Sequence, residues 1–292
     1  MQLRDALAGA IERLTAADVG SPRLNTETLL MFTLSCDRAY LYAHPERELT
    51  ADEEARYSGA LAQRARGVPA QYVTGHQEFW GLDFIVSPAV LIPRPETEHV
   101  VETVLELVAE RNAAPASRET LRIVDVGTGS GCIALALASE LPHAEIAASD
   151  ISPDALEIAR ANAARLRFAS RVSFRESDLL DGFPEAKKED AFDFVVSNPP
   201  YVGDGEADKV QRQVREFEPR VAVFAGQDGL DIYRRLIPQA RRVLNPGGWL
   251  VMEIGYSIEA NVRALLEGWS EVRTTNDLQG IPRVVAARKD SG

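Results

Sequence analysis

The chain has 292 residues, more than one core domain of about 100 to 150 residues needs, and 45% of them are hydrophobic, enough to bury a sizeable core. The formal net charge of −12 argues against a nucleic-acid binder, which carries a basic face over phosphates. No apolar run approaches the ~18 residues of a membrane span, and Met1-Gln2-Leu3-Arg4-Asp5 lacks the pattern of a signal peptide, so a cytoplasmic protein is expected. The two cysteines, Cys36 and Cys132, have no metal-ligand neighbours at useful spacing; they read as buried thiols, and no metal site is expected.

Along the chain, residues 1–74 read as a small helical bundle without a catalytic constellation. Leu3, Leu7, Ile11 and Leu14 recur at helical spacing, as do Leu24, Thr28, Met31 and Phe32 after Ser21-Pro22. A short helix is expected near Ala39 to Ala43. A longer one is expected over Ala51 to Arg66, opened by a capping box of Thr50 with Glu53. Residues 75–92 read as a β-hairpin connector in which Glu78-Phe79-Trp80 and Leu82 to Val86 flank Gly81; Phe79, Trp80 and Phe84 are expected in the core. Residues 93–292 form the remaining domain. Ile92-Pro93-Arg94-Pro95 leads into a helix with apolar Val100, Val101, Val104, Leu105 and Val108, and Asn112 to Thr120 reads as a linker.

Strands and helices then alternate, which implies a mostly parallel sheet with right-handed crossovers. Leu121 to Val124 reads as a strand, Gly127-Thr128-Gly129-Ser130-Gly131 as a turn, and Cys132 to Ala138 as a helix. Such a turn lets a ligand approach the backbone, and the helix amino terminus favours negative charge. The glycines fall as G-x-G-x-G, whereas the dinucleotide fingerprint would need a glycine at Cys132. This argues against a pyrophosphate and suits a cofactor carrying a carboxylate, such as S-adenosylmethionine.

The strand Glu145 to Asp150 ends in an acid placed either to bind ribose hydroxyls or to cap the helix beginning Ser152-Pro153. Arg171 to Asp178 alternates as a further strand. Asp178 at its end is either a loop acid or an acceptor for an adenine amino group, with Leu179 on the ring. Phe192 to Ser197 reads as a buried strand, and Asn198-Pro199-Pro200-Tyr201 follows at its carboxyl end, where open α/β sheets place ligands. These four residues suit a planar amide or amino acceptor. The Asn198 oxygen accepts one N–H, a proline carbonyl accepts the other, prolines donate none, and Tyr201 offers a stacking face. Helices over Leu230 to Leu244 and Ile258 to Glu267, a turn at Pro246-Gly247-Gly248, and strands at Trp249 to Ile254, Glu271 to Thr275 and Arg283 to Ala287 complete the pattern. Arg212, Arg215 and Arg220 read as a solvated helix face.

In this order the motifs resemble the protein methyltransferases that modify the glutamine side-chain amide nitrogen of peptide-chain release factors. The resemblance extends to Gly67 to Tyr72, Gly75, Glu78-Phe79-Trp80-Gly81, Ile92 to Glu98, Phe217-Glu218-Pro219-Arg220 and Asp277 to Val284. Ile281-Pro282 stands where more polar residues are expected, in a stretch expected far from the site. The resemblance implies a Rossmann-like class I S-adenosylmethionine-dependent methyltransferase domain whose sheet closes with an antiparallel hairpin. It implies that the helical bundle grips a release factor. It implies that Asn198, Pro199, Pro200 and Tyr201 serve catalysis, while Gly127, Thr128, Gly129, Ser130, Gly131, Asp150, Asp178, Leu179 and Asn198 hold the cofactor. Asn-Pro-Pro-Tyr is shared with adenine-N6 nucleic-acid methyltransferases, so such an enzyme is the alternative, with a non-catalytic binding module as a third reading. The acidic charge counts against the first of these, and the intact motifs count against the second.

Overall fold

The computed structural model of the chain describes residues 1–112, 120–183 and 190–291, so the linker expected over Asn112 to Thr120 lies mostly outside the described residues. The chain divides into two compact units, Met1–His76 with Gln211–Phe217, and Gln77–Val210 with Glu218–Gly292.

The first unit contains α1 (Leu3–Ala16), α2 (Pro22–Leu34), α3 (Arg38–Ala43), α4 (Ala51–Ala65) and α5 (Ala70–Thr74). The capping box forms as the sequence requires: Glu53 N–H donates to Thr50 Oγ1 at 3.2 Å and Thr50 N–H to Glu53 Oε2 at 2.9 Å. The core holds Leu3, Leu14, Leu29, Leu30, Leu41 and Tyr57. Helix α2 departs from expectation. Its buried face is Thr26, Glu27, Leu29, Leu30 and Thr33, whereas Leu24 and Phe32 are exposed. Thr33 can sit inside because its Oγ1 donates to the Leu29 carbonyl, whereas the buried Thr26 Oγ1 finds no partner among the described residues. Cys36 is half-buried rather than buried. The helix over Arg212–Phe217, α9 in chain order, joins this unit although it lies far along the chain. Gln213 accepts from Arg64 Nη2 at 3.1 Å, and the Phe217 ring fills the space where a side chain on Gly67 would project.

The second unit is built on a seven-stranded sheet of order β5-β4-β3-β6-β7-β9-β8. Its strands are β3 (Arg122–Val126), β4 (Glu145–Asp150), β5 (Val172–Glu176), β6 (Phe192–Ser197), β7 (Leu244–Glu253), β8 (Glu271–Asn276) and β9 (Pro282–Arg288). The first five in that order pair in parallel, and β9 runs antiparallel to both β7 and β8. A parallel sheet is covered on both faces, so its strands read as apolar runs; all six residues of β6 are buried. Helices α6 (Glu98–Asn112), α7 (Cys132–Glu140), α8 (Pro153–Arg165), α10 (Arg220–Val223), α11 (Asp231–Val243) and α12 (Glu259–Leu265) complete the unit. Phe194 and Val196 of β6 belong to a core with Val100, Val104, Ile133 and Leu135. Val195, one residue between them, belongs to another with Tyr233, Leu236 and Leu250. The turn expected at Pro246-Gly247-Gly248 lies inside β7, where pairing with β6 jumps from Phe192↔Leu244 to Phe194↔Trp249.

A separate two-stranded hairpin, β1 (His76–Phe79) and β2 (Leu82–Ile85), turns through Trp80 and Gly81, both at positive φ. Phe79 and Phe84 are buried in the same core as α6 and α7, with Trp80 packed at its edge, as expected of core aromatics.

Candidate active site

The site gathers at the carboxyl ends of β3, β4, β5, β6 and β7, beside the point where strand order reverses between β3 and β6. After β3 the chain turns through Gly127, Gly129 and Gly131, at φ of +71°, +55° and +85°. The turn is pinned to β4, because the Gly127 and Thr128 N–H groups both donate to the Ser149 carbonyl, at 2.8 and 2.9 Å. Thr128 and Ser130 are buried. A side chain on Gly127 or Gly129 would meet no atom within 4 Å, so the backbone there borders open space. Gly131 is different: a Cβ would lie 3.2 Å from Leu135 Cδ1, which makes it a packing glycine between α7 and α8. Beneath the loop, Asp125 is fully buried and accepts from Thr128 Oγ1 at 2.6 Å and Ala134 N at 3.2 Å. Burial pushes its carboxyl up to about 7.

Asp150 at the end of β4 accepts from Gly129 N–H and Ser152 N–H, each at 2.9 Å. Burial raises its pKa above the ordinary carboxylate value. Ser152 caps α8 itself, accepting from Ala155 N–H at 3.2 Å. Asp150 therefore ties the loop to the strand end, and each oxygen keeps a lone pair for a ligand hydroxyl. The Ser177 N–H donates to the Asp150 carbonyl at 2.9 Å, which brings Asp178 and Leu179 alongside. Asp178 also meets Arg235 at 2.6 Å, a partner invisible to a motif reading. Leu179 is half-buried at φ of +50°. Open backbone over two glycines beside a partly desolvated acid fits a donor with ribose hydroxyls and a charged end, as S-adenosylmethionine has.

Asn198 follows β6 directly, half-buried. Its Nδ2 donates to Thr97 Oγ1 at 2.9 Å, and Thr97 Oγ1 donates to Glu253 Oε2 at 2.6 Å. Thr97 and Glu253 are buried, with 1% and 2% exposure. Glu253 ends β7; burial pushes its carboxyl up to about 7. The Tyr201 hydroxyl lies 3.4 Å from Glu253 Oε1, and burial raises its pKa. Among the described residues no donor reaches Asn198 Oδ1 or the carbonyls of Pro199 and Pro200. Tyr201 is held by two glycines: a Cβ on Gly229 would lie 2.3 Å from its carbonyl oxygen, and one on Gly255 3.0 Å from its ring.

The Ile92 to Glu98 segment reaches this site too. Glu218, whose side chain is fully buried, accepts from Ile92 N–H at 3.1 Å and from Arg94 Nη2 at 2.5 Å. That contact explains why Phe217-Glu218-Pro219-Arg220 stands among the motifs, since Glu218 anchors the loop that ends in Thr97. The hairpin tip before β9 was expected far from the site and is not. Arg283 binds Asp277 at 2.8 Å, lies 3.9 Å from Glu96, and its carbonyl accepts from Ile254 N–H just beyond Glu253. Sequence reading also missed Thr97 and Glu253 as partners of Asn198; an acid closing the apolar run Trp249 to Ile254 was the available signal. Arg212 and Arg220 pair with Glu216 and Asp204, as a solvated face would.

This sheet order, glycine turn and strand-end acid define a class I S-adenosylmethionine-dependent methyltransferase. The PrmC N-terminal domain family matches residues 5–75 and a methyltransferase domain family residues 117–285. The chain is 58% identical over 290 residues to the release factor glutamine methyltransferase of Koribacter versatilis, covering 99% of each. It is 42% identical over 277 residues to that of Geobacter sulfurreducens, covering 94% of this chain and 92% of the relative. The chain belongs to the release factor glutamine methyltransferase family. The N-terminal domain of human METTL16 in complex with SAH matches it in fold, with a TM-score of 0.53 at 16% identity over 96% of this chain and 94% of that one. No helix among the described residues is long and apolar enough to cross a membrane.

Proposed function

We infer that this protein methylates the side-chain amide nitrogen of the glutamine in the Gly-Gly-Gln motif of peptide-chain release factors, in the cytoplasm. The observation that carries the reading is the acceptor set after β6 that no donor among the described residues reaches. Asn198 spends its NH2 on Thr97, so its oxygen, with the Pro199 and Pro200 carbonyls, is left to accept. S-adenosylmethionine would supply the electrophilic methyl group: the N–C bond forms as the sulfonium S–C bond breaks, S-adenosylhomocysteine leaves neutral, and one amide N–H proton is lost to solvent.

An amide nitrogen is a weak nucleophile because its lone pair is delocalised into the carbonyl. Two acceptors on one NH2 fix its plane and raise its electron density, and the prolines bring no competing N–H. Tyr201 stacks on the amide plane. Holding the nitrogen in line with the donor supplies most of the rate, since oriented reactants gain on the order of 7 to 11 kcal/mol. On the donor side, the backbone over Gly127 and Gly129 admits close approach, Asp150 accepts from the ribose hydroxyls, and Asp178 with Leu179 receives the adenine. Thr128, Ser130 and Gly131 shape the turn. Glycines beside the target glutamine let its loop extend into a narrow site. The charge of −12 repels nucleic-acid phosphates at long range.

Labelled donor offered with a release factor, its Gln→Ala variant or adenine-rich DNA tests this reading. Label is expected on the release factor alone. Label on the DNA would promote the adenine alternative, and equal label on the Gln→Ala protein would overturn the glutamine assignment.

A further inference from the structure

We propose that Thr97 and Glu253 are positioning residues that set which end of the Asn198 amide faces the acceptor. The proposal rests on the reading that Asn198 receives the substrate amide. An asparagine side chain has nearly the same shape with its oxygen and nitrogen exchanged, so its orientation is decided by hydrogen bonds alone. The required orientation is the one with oxygen outward. The opposite one would set the Asn198 NH2 against the substrate NH2, donor against donor.

With Glu253 ionised the network admits one arrangement. The carboxylate then only accepts, so at 2.6 Å from Glu253 Oε2 the single hydroxyl proton of Thr97 is directed at Glu253. The Thr97 oxygen then has only lone pairs for Asn198, 2.9 Å away, and Asn198 must offer its NH2. The Glu253 backbone is fixed on both sides. Its carbonyl accepts from the buried Tyr233 hydroxyl at 2.7 Å, and β7 pairs it with Val284 of β9. Its other oxygen lies 3.4 Å from the Tyr201 hydroxyl, so one carboxylate braces both ends of Asn198 to Tyr201. Burying such a group costs free energy unless it is partnered, and its partners come from segments 156 and 52 residues away. Thr97 is delivered by the Ile92 to Glu98 loop that Glu218 anchors, which gives that motif a role in catalysis through Asn198.

Thr97→Val is nearly isosteric and removes the relay. It is expected to lower kcat for release-factor methylation by about ten- to a hundredfold, the scale on which a misplaced reactant loses rate, with donor affinity unchanged and the rate read well below a melting temperature that falls because Glu253 loses a partner. Thr97→Ser keeps the hydroxyl and is expected to recover most of the rate. In an Asn198→Ala background Thr97→Val is expected to cost nothing further, because Thr97 acts through Asn198. The proposal is overturned by a Thr97→Val enzyme of normal kcat, by a Ser variant as impaired as the Val variant, by losses that multiply in the double variant, or by activity that falls only with melting temperature. Wild-type protein that methylates no glutamine would overturn the functional reading first, and this proposal with it.

Discussion

On the proposed reading Asn198 and Asp150 stand on the two sides of the transfer, and their losses should separate. If Asn198 accepts from the substrate amide as proposed, Asn198→Ala is expected to lower kcat by about 1 to 3 kcal/mol of lost stabilisation while calorimetry finds donor affinity near normal. Near-normal turnover would remove Asn198 from the chemistry. Asp150 holds Gly129 N–H and Ser152 N–H and keeps lone pairs for the ribose. Asp150→Ala is expected to weaken donor binding about tenfold or more, as charge-assisted hydrogen bonds are lost. An unchanged dissociation constant would leave Asp150 only its role in bracing the loop. Both residues were legible in the sequence because each directly follows or ends an apolar strand. Thr97 and Glu253 were not: their pairing spans 156 residues and depends on the fold.

At the scale of elements, the loop after β6 is fixed by its neighbours. Val202 N–H donates to the Val223 carbonyl at 3.0 Å, and Ala225 N–H to the Val202 carbonyl at 2.9 Å. Gly229 passes beneath Tyr201 at φ of +75°, where a Cβ would stand 2.3 Å from the Tyr201 carbonyl oxygen. Gly229→Ala meets both the steric contact and a left-handed backbone cost of about 1 to 2 kcal/mol, so melting temperature and kcat are both expected to fall. Gly205→Ala, where a Cβ meets nothing within 4 Å, is the control expected to change neither. An active, stable Gly229→Ala protein would show that Tyr201 tolerates displacement. The parallel strands were readable because burial on both faces makes them continuous apolar runs. Helix α2 misled because Thr26 and Thr33 are buried on its inner face while Leu24 and Phe32 lie outside. Periodicity weighs polarity, which a local hydrogen bond cancels at Thr33 but not at Thr26, whose buried hydroxyl has no partner among the described residues. The tip before β9 was misplaced because sequence order does not reveal that β9 inserts between β7 and β8.

Across the whole molecule, two buried acids govern how stability changes with pH. Burial pushes Asp125 and Glu253 each up to about 7 and raises Asp150 as well. Between the ordinary carboxylate range and 7 the folded chain therefore holds more protons than the unfolded one, so stability falls as pH rises through that window. In acid the opposite groups act. Asp228 beside Arg234, Asp277 under the Ile281 N–H, Glu53 beside Arg47 and Glu110 beside Arg273 all titrate below their ordinary values, and their stabilisation is lost as they protonate. Donor-free protein is expected to melt at a lower temperature at about pH 8 than at about pH 5.5. Glu253→Gln is expected to flatten the difference. An unchanged slope in that variant would assign the fall to repulsion among surface charges instead.

Mass spectrometry of a release factor incubated with this protein and S-adenosylmethionine tests the central claim most directly. The expected result is a single added methyl group on the side-chain amide of the Gly-Gly-Gln glutamine, strongly reduced when the Asn198→Ala enzyme is used for the same short time. An unmodified glutamine, or a methyl group on any other residue, would contradict it.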